Sequence, residues 1–378
     1  MSHSSHRVQG LANDEVTADW PAIDAAELAW LGRRHPALAG AAAVSWHSPR
    51  PLSAAAIVEG PGGPVFVKRH HQYVRSGEDL LEEHRFIRHL ADAGLPVATL
   101  LPFDDGSSVA SHATWTYEVH AVGVGEDLFR EVPSWVPMTD PAQSREAGRM
   151  LARLHHAAAG YDAPQRRTHL LVARDDLIRA IDPLATLHAQ LADRPALARY
   201  LDGRRWEHDL ASAVLPWQRT LPARLQSEPR CWAHNDWHAS NLLWQPQAAT
   251  GARISTVLDF GLASPTSAMF DLATAIERNA IAWLALDRDD AVRIDTALAL
   301  LAGYREVHPL DPTRVHLLAD LLPVVHLDFA LSEVEYFEGA TRSRANADVA
   351  YDTFLLGHAR WFGTAPAERL LQALRDAA

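Results

Sequence analysis

The segment Cys231 to Trp244, CWAHNDWHASNLLW, sets His234, Asn235, Asp236, His238, Ser240 and Asn241 between tryptophans and runs directly into Leu242 and Leu243. Polar groups inside such a core-like stretch cost free energy unless each has a partner. Three kinds of partnership suit these residue types. Asp236 and Asn241 can cap backbone groups in a hydrogen-bonded loop. His234, Asp236 and His238, at i, i+2 and i+4, share one face of a strand and suit a metal ion, as in a metal hydrolase. His234-x-Asp236-x-x-x-x-Asn241 suits phosphoryl transfer, with Asp236 taking the proton of an attacking hydroxyl and Asn241 binding magnesium.

The neighbouring motifs favour the third reading. Asp259-Phe260-Gly261 lies eighteen residues beyond Asn241, at the end of the apolar pattern ISTVLDF. Pairing that pattern with NLLWQ as a hairpin, with its turn in PQAATGAR, brings Asn241 and Asp259 to one end of two strands. That is where a magnesium ion bridging ATP phosphates needs its ligands. Upstream, Val65-Phe66-Val67-Lys68 is an apolar strand ending in a lysine that suits the α/β-phosphates. Glu83, fifteen residues later, falls at the edge of a helix's buried face and suits an ion pair with Lys68.

The elements that must position these residues are also legible. AAAIVEGPGGPVFVKRH reads as two strands around a Pro61–Pro64 turn. EDLLEEHRFIRHLADAG reads as the one helix of the first third, ending near Gly94. ATWTYEVHAVGVG alternates like a strand and runs out at Gly123 and Gly125. Asp140, Pro141 and Gln143 form a capping-box start for the next helix. Further helical patterns cover about 193–226, 271–304, 313–337 and 364–377. Residues 1–22 are expected to be a mobile tail, 23–122 a small nucleotide-binding lobe and 123–378 a larger lobe with the catalytic loop and acceptor site.

Bulk properties narrow the function classes. A length of 378 residues favours two domains. The single cysteine permits no disulfide within the chain and fits a reducing compartment, the cytoplasm. A formal charge of −12 argues against a nucleic-acid partner. The N-terminal residues lack the apolar run of a secretory signal, and the apolar stretches elsewhere are too short or interrupted to span a bilayer. No C-x-x-C or H-E-x-x-H spacing occurs.

HNDWHASN resembles the H-G-D-x-H-x-x-N loop of the aminoglycoside phosphotransferases, and its His-Asn-Asp start is similar to choline kinases. LDFGLA followed by FDLATAIERN resembles the D-F-G and Asp-Leu-Ala helix start of the same group. The resemblance implies an α+β, two-lobed protein-kinase-like fold: a small antiparallel-sheet lobe with one helix and a larger, mainly helical lobe. It implies Asp236 as base, Asn241 and Asp259 as Mg2+ ligands, and Lys68 on the phosphates with Glu83 as its partner. His234 would brace the loop and Asp271 would cap its helix and hold the loop; His238 matches the family's second histidine, its role left open between a loop hydrogen bond and a part in the site. No G-x-G-x-x-G precedes the first strand pair, so backbone N–H groups near Ser53, with Arg50, are expected to cover the phosphates. Backbone groups from Glu118 to His120 should meet the purine of ATP, with GTP the alternative nucleotide. The acceptor is expected to be a hydroxyl on a small molecule such as an amino sugar, amino alcohol or antibiotic. Glu277, Glu333, Glu335 and Glu338 would suit a cationic one, and a ring among Trp232, Trp237, Trp244, Trp283 and Trp361 would stack on it. A monomer or homodimer is expected. The alternatives are an inactive nucleotide-binding relative and a kinase of protein Ser/Thr. Only nine residues separate Gly261 from Asp271, which leaves no room for a protein-kinase activation segment.

Overall fold

A computed structural model of the chain describes residues 18–40, 43–130, 132, 134–246 and 251–378. Five antiparallel strands form one sheet in the order β1-β2-β3-β5-β4: β1 Ala43–His47, β2 Ala54–Gly60, β3 Gly63–His71, β4 Ala110–His112 and β5 Trp115–Ala121. The β2–β3 turn is tight, with Gly60 opposite Gly63 and a φ of 110° at Gly63 that favours glycine.

Strand alternation divides the sheet into two faces. Ala56, Val58, Val65, Val67, Tyr117 and Val119 form a core with Leu28, Leu31 and Leu38. The opposite face carries two cross-strand rows, Ala55-Lys68-Glu118 and Ile57-Phe66-His120, toward a cleft. A one-residue register slip would turn Lys68 into the apolar core.

Two helices accompany the sheet, where one was expected. α1 (Ala25–Gly32) opens with a capping box between Asp24 and Glu27 and packs on the core face. α2 (Gly77–Asp92) opens with another, between Ser76 and Asp79, and buries Leu80, Phe86, Ile87 and Leu90. Gly94 follows its end with φ 81°, as the sequence pattern required. Residues 1–17 of the expected tail lie outside the described residues, and of 18–22 Asp19 and Trp20 are half-buried while the others are exposed. Trp20 stacks on His71 at 4.9 Å, and Asp19 accepts a hydrogen bond from Tyr336 at 3.0 Å.

The rest of the chain is mainly helical. α3 (Pro141–Ala157) starts at Asp140, whose side chain accepts only from the Ala142 N–H, so the capping box does not form. The expected 193–226 helix is four short ones, Pro195–Leu201, Trp206–Ala213, Leu215–Gln218 and Leu221–Leu225. Pro195, Pro216 and Pro222 sit at the starts of three of them, where proline is tolerated, and prevent one continuous helix. The 271–304 pattern is likewise two helices, Ala268–Ala280 and Ile294–Val307, separated by an Ile281–Val292 bridge. In 313–337, a break around Pro323 divides Pro312–Leu321 from Leu327–Tyr336.

Two small antiparallel pairs interrupt these helices. β7 (Leu242–Trp244) pairs with β8 (Ile254–Val257), the expected hairpin, whose turn residues 247–250 lie outside the described residues. β6 (Cys231–Ala233) pairs with β9 (Ser264–Thr266), a second pair that the sequence reading lacked. Residues 234–241 are thus held between two strand pairs.

Candidate active site

Asp236 sits at the turn from β6 into the short 3-10 helix Ala239–Asn241. The loop's backbone is fastened by buried side chains. Asp271 accepts the N–H groups of His234 (2.9 Å) and Asn235 (2.8 Å), and His155 bonds the same carboxylate at 3.0 Å. Asp271 does not cap its helix, because Ser267 does so through the Phe270 N–H. Asn279 grips the loop's other half: its amide donates to the Trp237 carbonyl and accepts from the Ala239 N–H. These contacts hold Asn235 at φ 62°, a left-handed conformation that aims Asp236 into the cleft.

Both histidines of the loop are explained by their partners. His234 accepts the Asp236 N–H at Nδ1 (3.2 Å), so its Nε2–H donates to the Leu258 carbonyl (2.9 Å). That contact ties the loop to the residue just past β8. Among the described residues the donor atoms of His234, Asp236 and His238 do not gather within ligating reach of one ion, so the structure does not support the metal-hydrolase reading. His238 caps the 3-10 helix through the Ser240 N–H and turns Nε2 toward Asp236 at 3.6 Å.

Asp236 itself faces a cation. Arg278 donates to Oδ1 at 2.8 Å, and Asn241 donates to Oδ2 at 3.2 Å and to the Asp236 carbonyl at 2.9 Å. Burial would raise the Asp236 carboxyl, but Arg278, His238 and His234 outweigh it and hold the group well below the ordinary carboxylate range. Because the Asn241 amide nitrogen is committed to Asp236, its oxygen is the atom available to a cation.

Asp259 lies just past β8 at φ 53°. Its Oδ1 accepts from Lys68 Nζ at 3.0 Å and from the Gly261 N–H at 3.2 Å. Burial opposes ionisation of both groups, yet each holds the other charged: Asp259 is lowered, and Lys68 is raised by Asp259, Glu118 and Glu83. The expected Lys68–Glu83 ion pair is therefore absent. Glu83 lines the same cleft, but its carboxylate is 3.5 Å from Arg166, and Asp259 takes the lysine. Lys68, Asn241 and Asp259 line one continuous cleft, and Asp236 joins them on its inner side. Asn241 and Asp259 offer carbonyl and carboxylate oxygens only, a donor set that fits a hard cation such as Mg2+.

Ser53 and Arg50 border both ends of the cleft, in the link between β1 and β2. Pro49 and Pro51 have no N–H to offer there, the Ser48 N–H is bonded to Ala55, and the Arg50 N–H to Ser48 Oγ. Leu52 and Ser53 are left as the link's backbone donors. Arg50 itself donates to the Val132 carbonyl at 3.0 Å. The Glu118–His120 backbone does not meet the cleft as expected. It is paired with β3 on one side and with Thr99 to Leu101 on the other, and the chain leaves the sheet only at Val122 and Gly123. The Glu118 and His120 side chains, not their backbones, face the cleft.

The expected acceptor carboxylates are mostly committed elsewhere. Glu335 pairs with Arg194 at 2.6 Å, and Glu338 with Arg199 and Arg344 at 3.2 Å. Glu333 is fully buried in the Leu327–Tyr336 helix. Glu277 alone reaches the cleft region, in a recess with Trp135, Phe329 and Phe354 behind Arg278, where burial pushes its carboxyl up to about 7. The five tryptophans named for stacking pack in or against the core, while a sixth, Trp135, lines the recess and carries Arg278 over its ring at 4.1 Å. Sequence reasoning also missed Arg278, Asn279, Arg75 and Arg166. Arg75 and Arg166 donate to the Gly261 carbonyl at 3.0 and 2.9 Å, pinning the turn after Asp259. One signal was available: Glu277-Arg278-Asn279 is a run of three polar residues inside an otherwise buried helix.

Residues 52–310 match the model of the phosphotransferase enzyme family, and the chain belongs to that family. It is 29% identical over 238 residues to a homoserine kinase of Caulobacter vibrioides (strain NA1000 / CB15N), covering 62% of this chain and 63% of that protein. To a homoserine kinase of Methylobacterium radiotolerans it is 32% identical over 192 residues, 50% of this chain and 51% of that protein. The matched stretch thus spans less than two thirds of these relatives. Among solved structures, amicoumacin kinase hAmiN superposes with a TM-score of 0.52 at 14% identity over 87% of each chain. An ethanolamine kinase of Plasmodium vivax gives 0.53 at 13% identity, over 83% of this chain and 82% of that one. These likenesses show the two-lobed kinase-like fold. Among the described residues no helix is long and apolar enough to cross a membrane.

Proposed function

We propose that the protein is an ATP-dependent small-molecule kinase whose acceptor is the hydroxyl of an amino-bearing metabolite, with a hydroxy amino acid as the leading candidate. The observation that carries this reading is the gathering of Lys68, Asp236, Asn241 and Asp259 around one cleft. The acceptor oxygen attacks the γ-phosphorus of ATP, the bond to the β-phosphate oxygen breaks, and ADP leaves. The hydroxyl proton passes to Asp236. A carboxylate held so far down is a weak base, so its main contribution is to orient the hydroxyl until bond formation makes the proton acidic. Magnesium on Asn241 and Asp259 would neutralise phosphate charge. Lys68 binds the phosphates from the sheet side, the Leu52 and Ser53 N–H groups cover them, and backbone around Val122 and Gly123 meets the purine.

The acceptor end supports a zwitterion. Arg50 and Arg278 border the space beside Asp236, and guanidinium groups suit a carboxylate. Glu277, in its aromatic recess, suits an ammonium group. The homoserine kinases among its relatives act on a compound of this type, as their name says.

ADP release with Mg-ATP should be measured across homoserine, serine, amino alcohols, amino sugars and aminoglycosides. Stimulation by a hydroxy amino acid, lost in Asp236→Asn, is the expected result. Stimulation by an aminoglycoside alone would overturn the acceptor assignment, and failure to bind Mg-ATP would overturn the kinase reading itself.

A further inference from the structure

Beside the nucleotide cleft, one carboxylate is surrounded by three imidazoles. Glu118 and His120 sit two apart on β5 and so share a face, and His84 reaches them from α2. His84 Nε2 lies 2.8 Å and His120 Nε2 2.9 Å from the same oxygen, Glu118 Oε2. His70 Nε2, from β3, lies 3.1 Å from the other oxygen, Oε1. All four residues are buried, and one donor atom from each of His84, Glu118 and His120 lies within 4.8 Å of the other two.

We propose that His84, Glu118 and His120 form a binding site for a divalent transition ion of the zinc class, with the fourth position open to the cleft. Two imidazoles and a carboxylate are the donor set of a borderline ion, unlike the all-oxygen set of Asn241 and Asp259. In a tetrahedral site with bonds near ~2.1 Å the donors stand about 3.4 Å apart, so the His–Glu contacts need open by only about half an ångström. The surroundings have the form that orients metal ligands. His84 Nδ1 is 2.8 Å from Ser108 Oγ, which fixes the ring and leaves Nε2 as the inward atom. His70 holds the remaining carboxylate oxygen in the same way. His120 Nδ1 is buried without a partner among the described residues, so Nε2, turned toward the carboxylate, is the one nitrogen of that ring engaged in the cluster. Glu118 and His120 border the cleft, which gives an ion an entry path and a fourth ligand. A filled site would tie α2, and with it Glu83, to the strand that leads into Val122 and Gly123.

The site stands apart from the proposed phosphoryl transfer, and its test does not depend on turnover. The full-length chain is stripped with chelator, loaded with zinc, and dialysed against excess magnesium before elemental analysis. One zinc per chain should remain. His84→Gln and His120→Gln should each lose it, while His70→Gln should retain it with about tenfold or more weaker affinity. Asp259→Asn should retain it unchanged. Cobalt loaded into the unmodified chain should give the intense visible bands of four-coordinate geometry, a readout that survives if the histidine variants fail to fold. Zinc retained in both His84→Gln and His120→Gln would place it on others of the chain's 21 histidines and overturn the proposal. So would a folded wild-type chain that keeps none, or a six-coordinate cobalt spectrum.

Discussion

Asp236 and Arg278 form the contact on which the proposed chemistry turns. Removing the carboxylate takes away orientation and proton acceptance but leaves Lys68, Asn241 and Asp259 in place. Asp236→Ala should therefore lower kcat by about 10²–10⁴-fold with the KM for ATP little changed. An equal loss of nucleotide affinity in a titration would contradict that role. Arg278 holds the Asp236 carboxyl down, so Arg278→Gln should let it rise toward the ordinary carboxylate range. The sign is definite: losing a cation makes protonation easier, so a new acid limb appears in kcat/KM at higher pH than in the wild type. Glu277 behaves in the opposite sense, because burial raises it from 4.5 to about 7. Its protonated form is favoured by folding, so this contribution is complete below about pH 4.5 and is lost as pH rises through about 7. The difference corresponds to at most about 3 kcal/mol. Glu277→Gln should flatten that part of the stability curve measured by denaturant midpoint against pH, and an unchanged curve would show that an ion pair already compensates Glu277.

Elements act here through their close approaches. α3 crosses the Ile294–Val307 helix with glycine on both sides. A Cβ at Gly148 would stand 1.9 Å from the Leu300 carbonyl oxygen, and one at Gly303 1.8 Å from that of Arg145. Backbone cannot yield as a side chain can, so Gly303→Ala should cost about 1–3 kcal/mol, read as a lower Tm. The folded fraction should keep its turnover, since neither glycine touches the cleft. The Ala268–Ala280 helix is different, because it carries Asp271, Glu277, Arg278 and Asn279 along one length. Its ends and buried stripe follow from its sequence pattern. That Asp271 and Asn279 hold two halves of one loop does not, because those partners are 36 to 42 residues away.

At the scale of the whole molecule, Lys68 and Asp259 join the sheet to the helical lobe across 191 residues of chain. Arg75 and Arg166 join the start of α2 to Gly261 in the same way. Mg-ATP bound between these parts should raise the Tm of the entire chain. At a nucleotide concentration of about 100 times Kd the expected stabilisation is about 2.7 kcal/mol. Omitting magnesium, or changing Asp259→Asn, should remove most of that shift in a thermal scan. A magnesium-independent shift of full size would show that Asn241 and Asp259 do not hold the ion.

The strands around Gly63, the capped α2 and the hairpin between Asn241 and Asp259 were legible because each rests on short-range rules: alternation, capping and turn chemistry. The approach of Asn241 to Asp259 was legible because the hairpin follows from spacing, whereas the joining of Lys68 and Asp236 to them was implied by the family resemblance. Partner choice was not legible. Glu83 and Asp259 were both carboxylates within plausible reach of Lys68, and only packing decided for Asp259. Glu335 and Glu338 looked available until the fold brought Arg194, Arg199 and Arg344 to them. The Glu118–His120 backbone was spent on neighbours at Thr99 to Leu101, which no local pattern marks. By itself, then, the sequence determined which chemical groups the protein holds and on which elements. The tertiary structure decided which of them are already paired, because a charge or an N–H is neutralised by whatever neighbour the whole chain delivers to it.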